Sequence, residues 1–559
     1  MSPRHRPRPR PAPREERSGA QRCEASRSTP PSSRPPTFAG TLGAPAEPVP
    51  AAPRRGRPLA TRAPGPRPAP WLLVALALIV PGIAPLVAEE GKTPVAGDPS
   101  AWNAVPPERP AAVVVRGATI WTSGPQGVLD GADLLVVDGV IKAVGTDLKA
   151  PADALVIDGA GKHVSAGIID AHSHSAIVGD VNEATHVATP EVRIENLIDA
   201  ESINIYRQLA GGVTTVNLLH GSANAIGGQN AVIKLRWGAG PRELLFAEAP
   251  AGVKFALGEN PKQSNWGDDN QRFPQTRQGV EEAIDERFRA ALDYRRAWRD
   301  YEAAKDPQRV PPRRDLQLEA MLEMLDGKRL IHSHSYRHDE ILMLLDLMAS
   351  YGIRIATFQH VLEGYKVADE LARHGAGAST FSDWWAYKYE VIDAIPWNGA
   401  IMWDRGVVVS YNSDSDELAR HLNLEAAKAV RYGGVPPAEA LKFVTLNPAR
   451  QLHVDRWVGS LEPGKHADFV LWSGSPLSTR SIVLQTWVDG RKYFDRQADL
   501  AGRAVLAEER RKLIAEVEAS GSGEGGDQEG KDDDGAGGRQ QAEDEPPPPP
   551  AAQGREVQR

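Results

Sequence analysis

The central part of the chain alternates short apolar runs with helical stretches, and this alternation constrains the fold most. The runs GGVTTVNLL, KRLIHSHS, IRIATFQH and GVVVSYNSDS have the length and composition of buried strands. Stretches with helical spacing, such as DEILMLLDLMASYG, lie between them. Strand–helix alternation over this length predicts a parallel sheet in an α/β fold. The favoured form is a closed, TIM-like (β/α)8 barrel.

Short β-rich runs flank the predicted barrel on both sides. They include AAVVVRGATIWTS and ADLLVVDGVIKAVG before it, and GSLEPGKHADFVLWSG and IVLQTWVDGRKYF after it, separated by Gly and Asp turns. We expect both sets to pair into one small β-sandwich domain. The predicted division is 110–166 and 454–496 for the two parts of the sandwich, and 167–453 for the barrel.

The two ends of the chain have compositions that do not favour folding. Residues 1–70 are an Arg- and Pro-rich extension and residues 518–559 an acidic, Pro-rich tail, and both are predicted to be disordered. Residues 71–88 form an apolar segment that follows arginines and ends in a small residue, as an export signal does. Its uninterrupted apolar run is shorter than the ~20 residues of a comfortable membrane span.

From this segment we expect an exported protein that is periplasmic, held in the cell envelope or secreted. Residues 71–88 would be a signal peptide or a retained anchor that associates the chain with the membrane.

Composition excludes several classes of function. Of the 559 residues, 41% are hydrophobic and 25% are charged, as in an ordinary soluble globular protein. The net charge of -8 gives no reason to expect nucleic acid as a partner. The single cysteine excludes an internal disulfide and a thiolate metal cluster. Any metal must therefore be bound by nitrogen and oxygen ligands.

Metal-competent side chains stand at the ends of several predicted strands. Catalytic groups of such barrels project from the C-terminal strand ends. In SAGIIDAHSHS, His172 and His174 lie on one side of a strand, because side chains repeat there with a period of two. Comparable positions are held by Lys254, His332, His334, His360 and Asp414. Several such strand ends in one chain predict a metal site at the mouth of the barrel.

From about Val113 to Phe494, the chain resembles the metal-dependent amidohydrolase superfamily, close to its imidazolonepropionase-like branch. The motifs that carry the resemblance are GIIDAHSHS, IHSHS, FQH and NSDS, with the closing segments ALKFVTLNPARQL and VGSLEPGKHADFVLW. The resemblance implies a centre of one or two divalent metal ions. Imidazole and carboxylate ligands suit Zn²⁺, our first expectation, and also Mn, Fe or Ni.

The resemblance also implies metal-binding roles for individual residues. His172 and His174 would bind the first ion together with Asp414, while His332 and His360 would bind the second. Asp414 would in addition be the catalytic group, which accepts a proton from the attacking water and passes it to the leaving nitrogen.

Two further roles concern the ligand that bridges the ions and the surroundings of the metal. Relatives use a carboxylated lysine or a glutamate as the bridge, which here makes Lys254 the favoured residue and Glu259 its competitor. His334 is a candidate to support the ligands, with an ordinary loop histidine as the alternative.

Substrate-binding residues are expected in the loops beyond the strand ends. His220 and Gln229 lie in a Gly-rich loop, where they face either the substrate or the loop backbone, and Tyr365 follows His360 closely. The segment 273–325 has helical spacing and is predicted to form a helical pair beside the mouth.

The predicted activity is hydrolysis of a C–N bond by metal-activated hydroxide, in a non-peptide amide, a cyclic amide or a dipeptide-like substrate. The alternatives are a metal-dependent deaminase and a catalytically inactive binding or scaffold barrel. The expected partners are a small-molecule substrate and further copies of the same chain in a homo-oligomer.

Overall fold

The computed structural model describes residues 106–262, 272–382, 384 and 387–521. The predictions for residues 1–70 and 71–88, and for all but the first residues of the acidic tail, lie outside this part of the chain. Within the described ranges, no helix is both long enough and apolar enough to cross a membrane.

The described residues form strands in both flanks and alternate strands with helices through much of the region between them. The strands are β1 (Ala112–Trp121), β2 (Val128–Val137), β3 (Val140–Gly145), β4 (Leu155–Asp158), β5 (His163–Ala166), β6 (Ile168–Ser173), β7 (Val213–Leu218), β8 (Ile226–Gln229), β9 (Ala231–Lys234), β10 (Gly252–Ala256), β11 (Leu330–Ser335), β12 (Thr357–His360), β13 (Gly377–Thr380), β14 (Val409–Tyr411), β15 (Phe469–Trp472), β16 (Val483–Val488) and β17 (Arg491–Asp495). The α-helices are α1 (Ile203–Ala210), α2 (Pro241–Leu244), α3 (Arg277–Ala304), α4 (Leu316–Leu325), α5 (His338–Ser350), α6 (Ala368–His374), α7 (Asn398–Asp404), α8 (Asp416–Ala419), α9 (Leu422–Gly433), α10 (Pro437–Lys442), α11 (Leu446–Gln451) and α12 (Arg496–Gly521). Short 3-10 helices cover Ile194–Leu197, Gly364–Lys366 and Tyr389–Val391.

The two flanks of the chain meet in one eight-stranded sheet, in the order β17-β16-β15-β5-β1-β2-β3, with β4 paired to β1. Strand β15 lies antiparallel to β5, with Phe469 opposite Ala166, and so joins the C-terminal flank to the N-terminal one. A buried hydrophobic cluster that includes Val115, Leu134 and Trp487 packs between residues of both flanks. The predicted pairing of the flanks is confirmed.

The barrel is built from the strands between the two flanks. Strands β6 and β7 are parallel, as are β10 to β14 in succession. The backbone N–H of Asp414, just after β14, donates to the carbonyl oxygen of His172 in β6 at 3.2 Å. This bond brings the last strand against the first, and the architecture is the predicted (β/α)8 barrel with a β domain from both flanks.

One part of the barrel wall, formed by β8 and β9, is antiparallel to the neighbouring strands. Strand β9 is antiparallel to β7, and β8, which precedes it with only Asn230 between them, is antiparallel to β10. Residues 219–225 alone connect β7 to β8. A parallel crossover needs about a dozen residues or more, so this short connection forces the chain to reverse its direction.

A single glycine separates the sheet from the barrel. Strand β5 ends at Ala166 and β6 begins at Ile168, with Gly167 between them. A Cβ atom on Gly167 would lie 2.2 Å from Oγ1 of Thr214, so any larger residue would collide with this side chain of β7.

A buried cluster of charged side chains links strand β9 of the barrel to the eight-stranded sheet. Nζ of Lys234 has no exposed surface around it and lies 3.0 Å from the carboxylate of Asp468, and it also contacts Asp489. Nε of Arg236 donates to Asp489 at 2.7 Å. Burial alone would raise the pKa of Asp489, but the charges of Lys234 and Arg236 lower it to about 2.

Two helical regions complete the description. The predicted helical pair is confirmed as α3 and α4, which pack together. The side chain of Thr276 caps α3 by accepting from the N–H of Gly279 at 3.3 Å. The long, largely exposed helix α12 was not anticipated, and it carries residues 518–521 of the expected disordered tail into helical conformation.

Candidate metal centre

Four of the predicted residues converge at the C-terminal mouth of the barrel. Ligand-competent atoms of His172, His360 and Asp414 all lie within 4.8 Å of one another. Nε2 of His172 and Nε2 of His174 are each 3.3 Å from Oδ1 of Asp414, and Nε2 of His360 is 3.8 Å from its Oδ2. We call these four residues the metal cluster.

Hydrogen bonds to the far side of two rings fix which nitrogen faces the cluster. Nδ1 of His174 donates to the carbonyl oxygen of Leu219 at 3.0 Å. Nδ1 of His172 lies 3.3 Å from Oε1 of Gln359, whose own amide donates to the carbonyl oxygen of Ala171. With Nδ1 protonated in both rings, the Nε2 lone pairs point at Asp414. Partners of this kind orient the histidine ligands of metal sites.

The side chains of the metal cluster have the charge and protonation states that suit a bound cation. Burial, followed by the charge of Lys254 and the neighbouring histidines, holds the pKa of His172 well below its usual range. Nε2 of His172, which faces Asp414, is buried and has no hydrogen-bond partner in the described chain. An unpartnered buried nitrogen costs about 1–3 kcal/mol. A divalent ion would satisfy neutral imidazoles and a carboxylate together, so the residues present fit a metal.

The backbone is strained at the same place. His360 has φ of 70° and Asp414 has φ of 47°, and Val361, which follows His360, has φ of 43°. Residues other than glycine in this left-handed region cost of the order of 1–3 kcal/mol and persist only where the surrounding structure holds them. The strain coincides with the metal cluster, as it does at many functional sites.

A buried carboxylate that the sequence analysis did not single out holds two of the strand ends. Asp170 accepts hydrogen bonds from the backbone N–H of His172 at 3.2 Å and of Ser413 at 3.1 Å, and also from the Ser413 hydroxyl. Burial raises its pKa to about 7. An acid inside the apolar run GIID was the available signal, because aspartate is almost never fully buried unless it has partners.

The structure places the two histidines of β11 at different depths. The ring of His334 lies 4.5 Å from that of His360, and its buried Nε2 has no hydrogen-bond partner in the described chain. His332 lies two residues deeper, opposite Lys254 in the neighbouring strand. Burial lowers the pKa of His332 to about 3, with further contributions from His453 and Lys254. It is therefore His334 that stands beside the metal cluster.

Lys254 is the residue of its strand that faces the cluster. It is buried in β10, and its Nζ donates to the carbonyl oxygen of His220 at 3.1 Å. Burial lowers the pKa of Lys254 to about 8, although the charge of Asp414 raises it in part. Its competitor Glu259 lies 3.6 Å from Nζ of Lys388, in a separate ionic group.

The three predicted substrate-binding side chains have partners elsewhere. Both ring nitrogens of His220 bond to loop backbone, with Nε2 accepting from the N–H of Glu183 at 2.9 Å. The amide of Gln229 donates to the carbonyl oxygen of Pro190 at 2.8 Å. The hydroxyl of Tyr365 donates to the carbonyl oxygen of Asp393 at 3.0 Å. None of these bonds reaches the metal cluster.

Aromatic side chains line one side of the cluster instead. The rings of Tyr336 and Phe381 both stack on His360, at centroid distances of 5.4 and 5.0 Å. Trp384 stacks on Phe381 at 4.3 Å, and the hydroxyl of Tyr387 donates to that of Tyr336 at 2.8 Å. We call these four aromatic residues the aromatic wall. Sequence reasoning missed it because Tyr336 is distant along the chain from Phe381, Trp384 and Tyr387, and no periodicity connects them.

Comparison with known proteins is consistent with this geometry. The amidohydrolase family model matches residues 397–497. A crystal structure of an amidohydrolase from Thermotoga maritima is 32% identical and has a TM-score of 0.63; the match covers 69% of this chain and all of the other.

Curated proteins give matches of different extent. Amidohydrolase tasK of Hapsidospora irregularis is 31% identical over an alignment of 440 residues, which covers 71% of this chain but only 44% of that protein. The imidazolonepropionase of Picrophilus torridus is 36% identical over 70 residues, 12% of this chain and 18% of the relative. The full-length match to the Thermotoga protein, together with the metal cluster, shows that this chain belongs to the metal-dependent amidohydrolase superfamily.

Proposed function

We propose that this protein hydrolyses a C–N bond in a small substrate, a non-peptide amide, a cyclic amide or a dipeptide. The observation that carries the proposal is the convergence of the metal cluster on Asp414, with Lys254 buried beside it. The proposed ligands are His172, His174, Lys254, His334, His360 and Asp414. In this set His334 replaces the expected His332.

A divalent ion at this position would lower the pKa of water towards about 7 and polarise the substrate carbonyl. The protein must then supply a group that moves a proton. Burial alone would raise the pKa of Asp414, but the neighbouring His174 and His360 and the charge of Lys254 bring it below its usual range. Asp414 is therefore ionised at neutral pH and can take a proton from water and give it to the leaving nitrogen.

Lys254 supports a centre with two ions. Because burial lowers its pKa to about 8, part of the population carries a neutral amine at neutral pH. That amine can attack carbon dioxide to form an N–C bond and a carbamate, and one proton is released. The carbamate would be anionic and would offer two oxygen ligands for metal.

The aromatic wall favours substrates with a flat or apolar portion. It borders His360 directly, so a substrate bound at the cluster would rest against Tyr336 and Phe381. Nζ of Lys388 lies 4.3 Å from the centre of the Tyr336 ring but is already paired with Glu259 and Glu390, at 3.6 and 3.4 Å. An N-acyl amino acid or a dipeptide with an aromatic side chain has the flat apolar portion that the aromatic wall favours.

The first experiment combines metal analysis with a substrate screen. We expect one or two divalent ions per chain, and turnover of at least one N-acyl amino acid, cyclic imide, lactam or dipeptide. Replacing both His172 and His174 with alanine should remove metal and activity, while replacing His421, an exposed histidine near Glu417, should change neither. Unchanged metal content in the double variant would contradict the proposal.

The same screen separates the alternative functions. A deaminase would release ammonia from an aminated ring and would leave amides intact. A metal-loaded protein that turns over none of these compounds would be a binding or scaffold barrel.

Placement near the imidazolonepropionases, export and homo-oligomer formation are further proposals, supported by sequence features alone. If residues 71–88 direct export, N-terminal sequencing of the cell-envelope fraction should find a start near Glu89. An intact Met1 on cytoplasmic protein would contradict export. Light scattering of the purified protein measures the oligomeric state.

A further inference from the structure

A second cavity opens at the opposite end of the barrel from the metal cluster. It has a volume of about 380 Å³. Its lining includes Leu330, Ala356, Gly377 and Val408, which lie at or just before the N-terminal ends of β11 to β14. The C-terminal ends of three of those strands carry His334, His360 and Asp414. We call this cavity the floor cavity.

The floor cavity is positively charged. Its lining contains Arg329, Arg354, Arg450 and His453, and no aspartate or glutamate. Arg329 is already neutralised, because its guanidinium pairs with Glu323 and donates to a backbone carbonyl. The side chains of Arg354 and Arg450 are exposed and form no hydrogen bond or ion pair with the described residues. The charge of Arg450 helps to lower the pKa of Glu462, which is not part of the lining.

The floor cavity also has room for a ligand. Gly327, Gly352 and Gly375 contribute bare backbone to the lining and have φ of 67°, 70° and 81°. A Cβ on Gly375 would come within 3.8 Å of the guanidinium carbon of Arg354, and one on Gly327 or Gly352 would meet nothing within 4 Å. A volume of about 380 Å³ is in the range of small-molecule sites, roughly 300–1,000 Å³.

We propose that the floor cavity is a second ligand site, which binds a small organic dianion through Arg354 and Arg450. Guanidinium groups bind phosphate and carboxylate through paired hydrogen bonds, and two of them without partners match two negative charges. The ligand class is a phosphate monoester or a dicarboxylate, and the site is independent of the hydrolytic activity proposed above.

The test is calorimetric titration of the metal-loaded protein with 2-phosphoglycolate and, separately, with succinate. Both compounds could also bind the metal, so each titration is repeated on a variant with Arg354 and Arg450 changed to alanine. We expect the double variant to lose one binding event or at least tenfold in affinity for one probe. Arg480→Ala, which removes an exposed arginine outside the cavity, should match the wild type.

The outcomes separate the ligand sources and the proposal itself. Loss confined to 2-phosphoglycolate assigns the site to phosphate monoesters, loss confined to succinate assigns it to dicarboxylates, and loss of both assigns the shared chemistry. Replacing Arg354 and Arg450 with lysine keeps the charge and should give an intermediate loss, in protein whose unliganded unfolding midpoint is unchanged. If the alanine and wild-type proteins bind both probes alike, or neither protein binds either probe, the proposal is overturned.

Discussion

Exchanging the two histidines of β11 for alanine, one at a time, tests the placement of the metal most directly. The register sets His334 opposite Gln359 and His332 opposite Thr357, so His334 is nearer the strand end that carries His360. A step of two residues along a strand moves the backbone by about 6.6 Å. Metal–nitrogen bonds are only about 2.0–2.1 Å long. A metal ion bound beside His360 can therefore be ligated by only one of these two histidines, because the other ring is too far away.

The expected size of the effect follows from linkage between binding and folding. A bound metal at 100 times its dissociation constant stabilises a protein by about 2.7 kcal/mol. Loss of a supporting residue around a metal weakens binding by about 10–100-fold, so loss of a ligand should reach at least the upper value. At the same metal concentration, a 100-fold weaker site contributes only about 0.4 kcal/mol. His334→Ala should therefore lose about 2.3 kcal/mol of metal-dependent stability, and His332→Ala should keep it.

The assay is urea unfolding of each variant with metal and with chelator, alongside elemental analysis. His332→Ala should lose stability equally in both conditions, because it empties a buried position away from the cluster. His334→Ala should lose stability chiefly when metal is present. The same variant should also lose bound metal and turnover. If His332→Ala abolishes the metal-dependent difference while His334→Ala preserves it, the ligand lies one pleat deeper than we infer.

Three further predictions concern catalysis, the bridging ligand and pH. Asp414→Asn should fold and keep most of its metal but lose about 10²–10⁴-fold in kcat, because an amide cannot take the proton. Asp416→Asn is the control and should retain kcat, because the Asp416 carboxylate bonds to side chains outside the metal cluster. A large loss of kcat in Asp416→Asn and a small one in Asp414→Asn would refute the assignment. Lys254→Ala should bind one ion fewer per chain by elemental analysis and regain activity in part when short carboxylic acids are added; two ions retained without rescue would contradict a lysine bridge. Asp489, whose folded pKa of about 2 lies below its unfolded value of ~3.9, stabilises the fold above that unfolded value. The difference in free energy of unfolding between wild type and Asp489→Asn should therefore be constant above about pH 5 and shrink as pH falls towards 2, and a difference that grows on acidification would be inconsistent with the Lys234 contact.

Several features were readable in the sequence because they depend on local chemistry. The period of two put His172 and His174 on one side of a strand, and apolar runs before His360 and Asp414 marked both as strand ends. The β-rich composition of the two flanks predicted that they pair with each other. The 3.6-residue spacing of apolar residues predicted α3 and α4.

Other features lie beyond local reading. The antiparallel direction of β8 and β9 follows from the short connection after β7. It becomes visible only when these strands are paired with β10 and β7. The aromatic wall joins Tyr336, just after β11, to three residues that follow β13, which no periodicity connects. The burial of Asp170 against Ser413 likewise requires the first and last barrel strands to meet.

The two histidines of β11 show where sequence stops and tertiary structure begins. Sequence alone determined the superfamily motifs, the barrel and the residue types that can bind a metal, because these follow from side-chain chemistry and strand period. The same period places His332 and His334 on one face, and so cannot choose between them. Only the register between β11 and β12 sets how far each ring stands from the mouth, since that register depends on how neighbouring strands close the barrel.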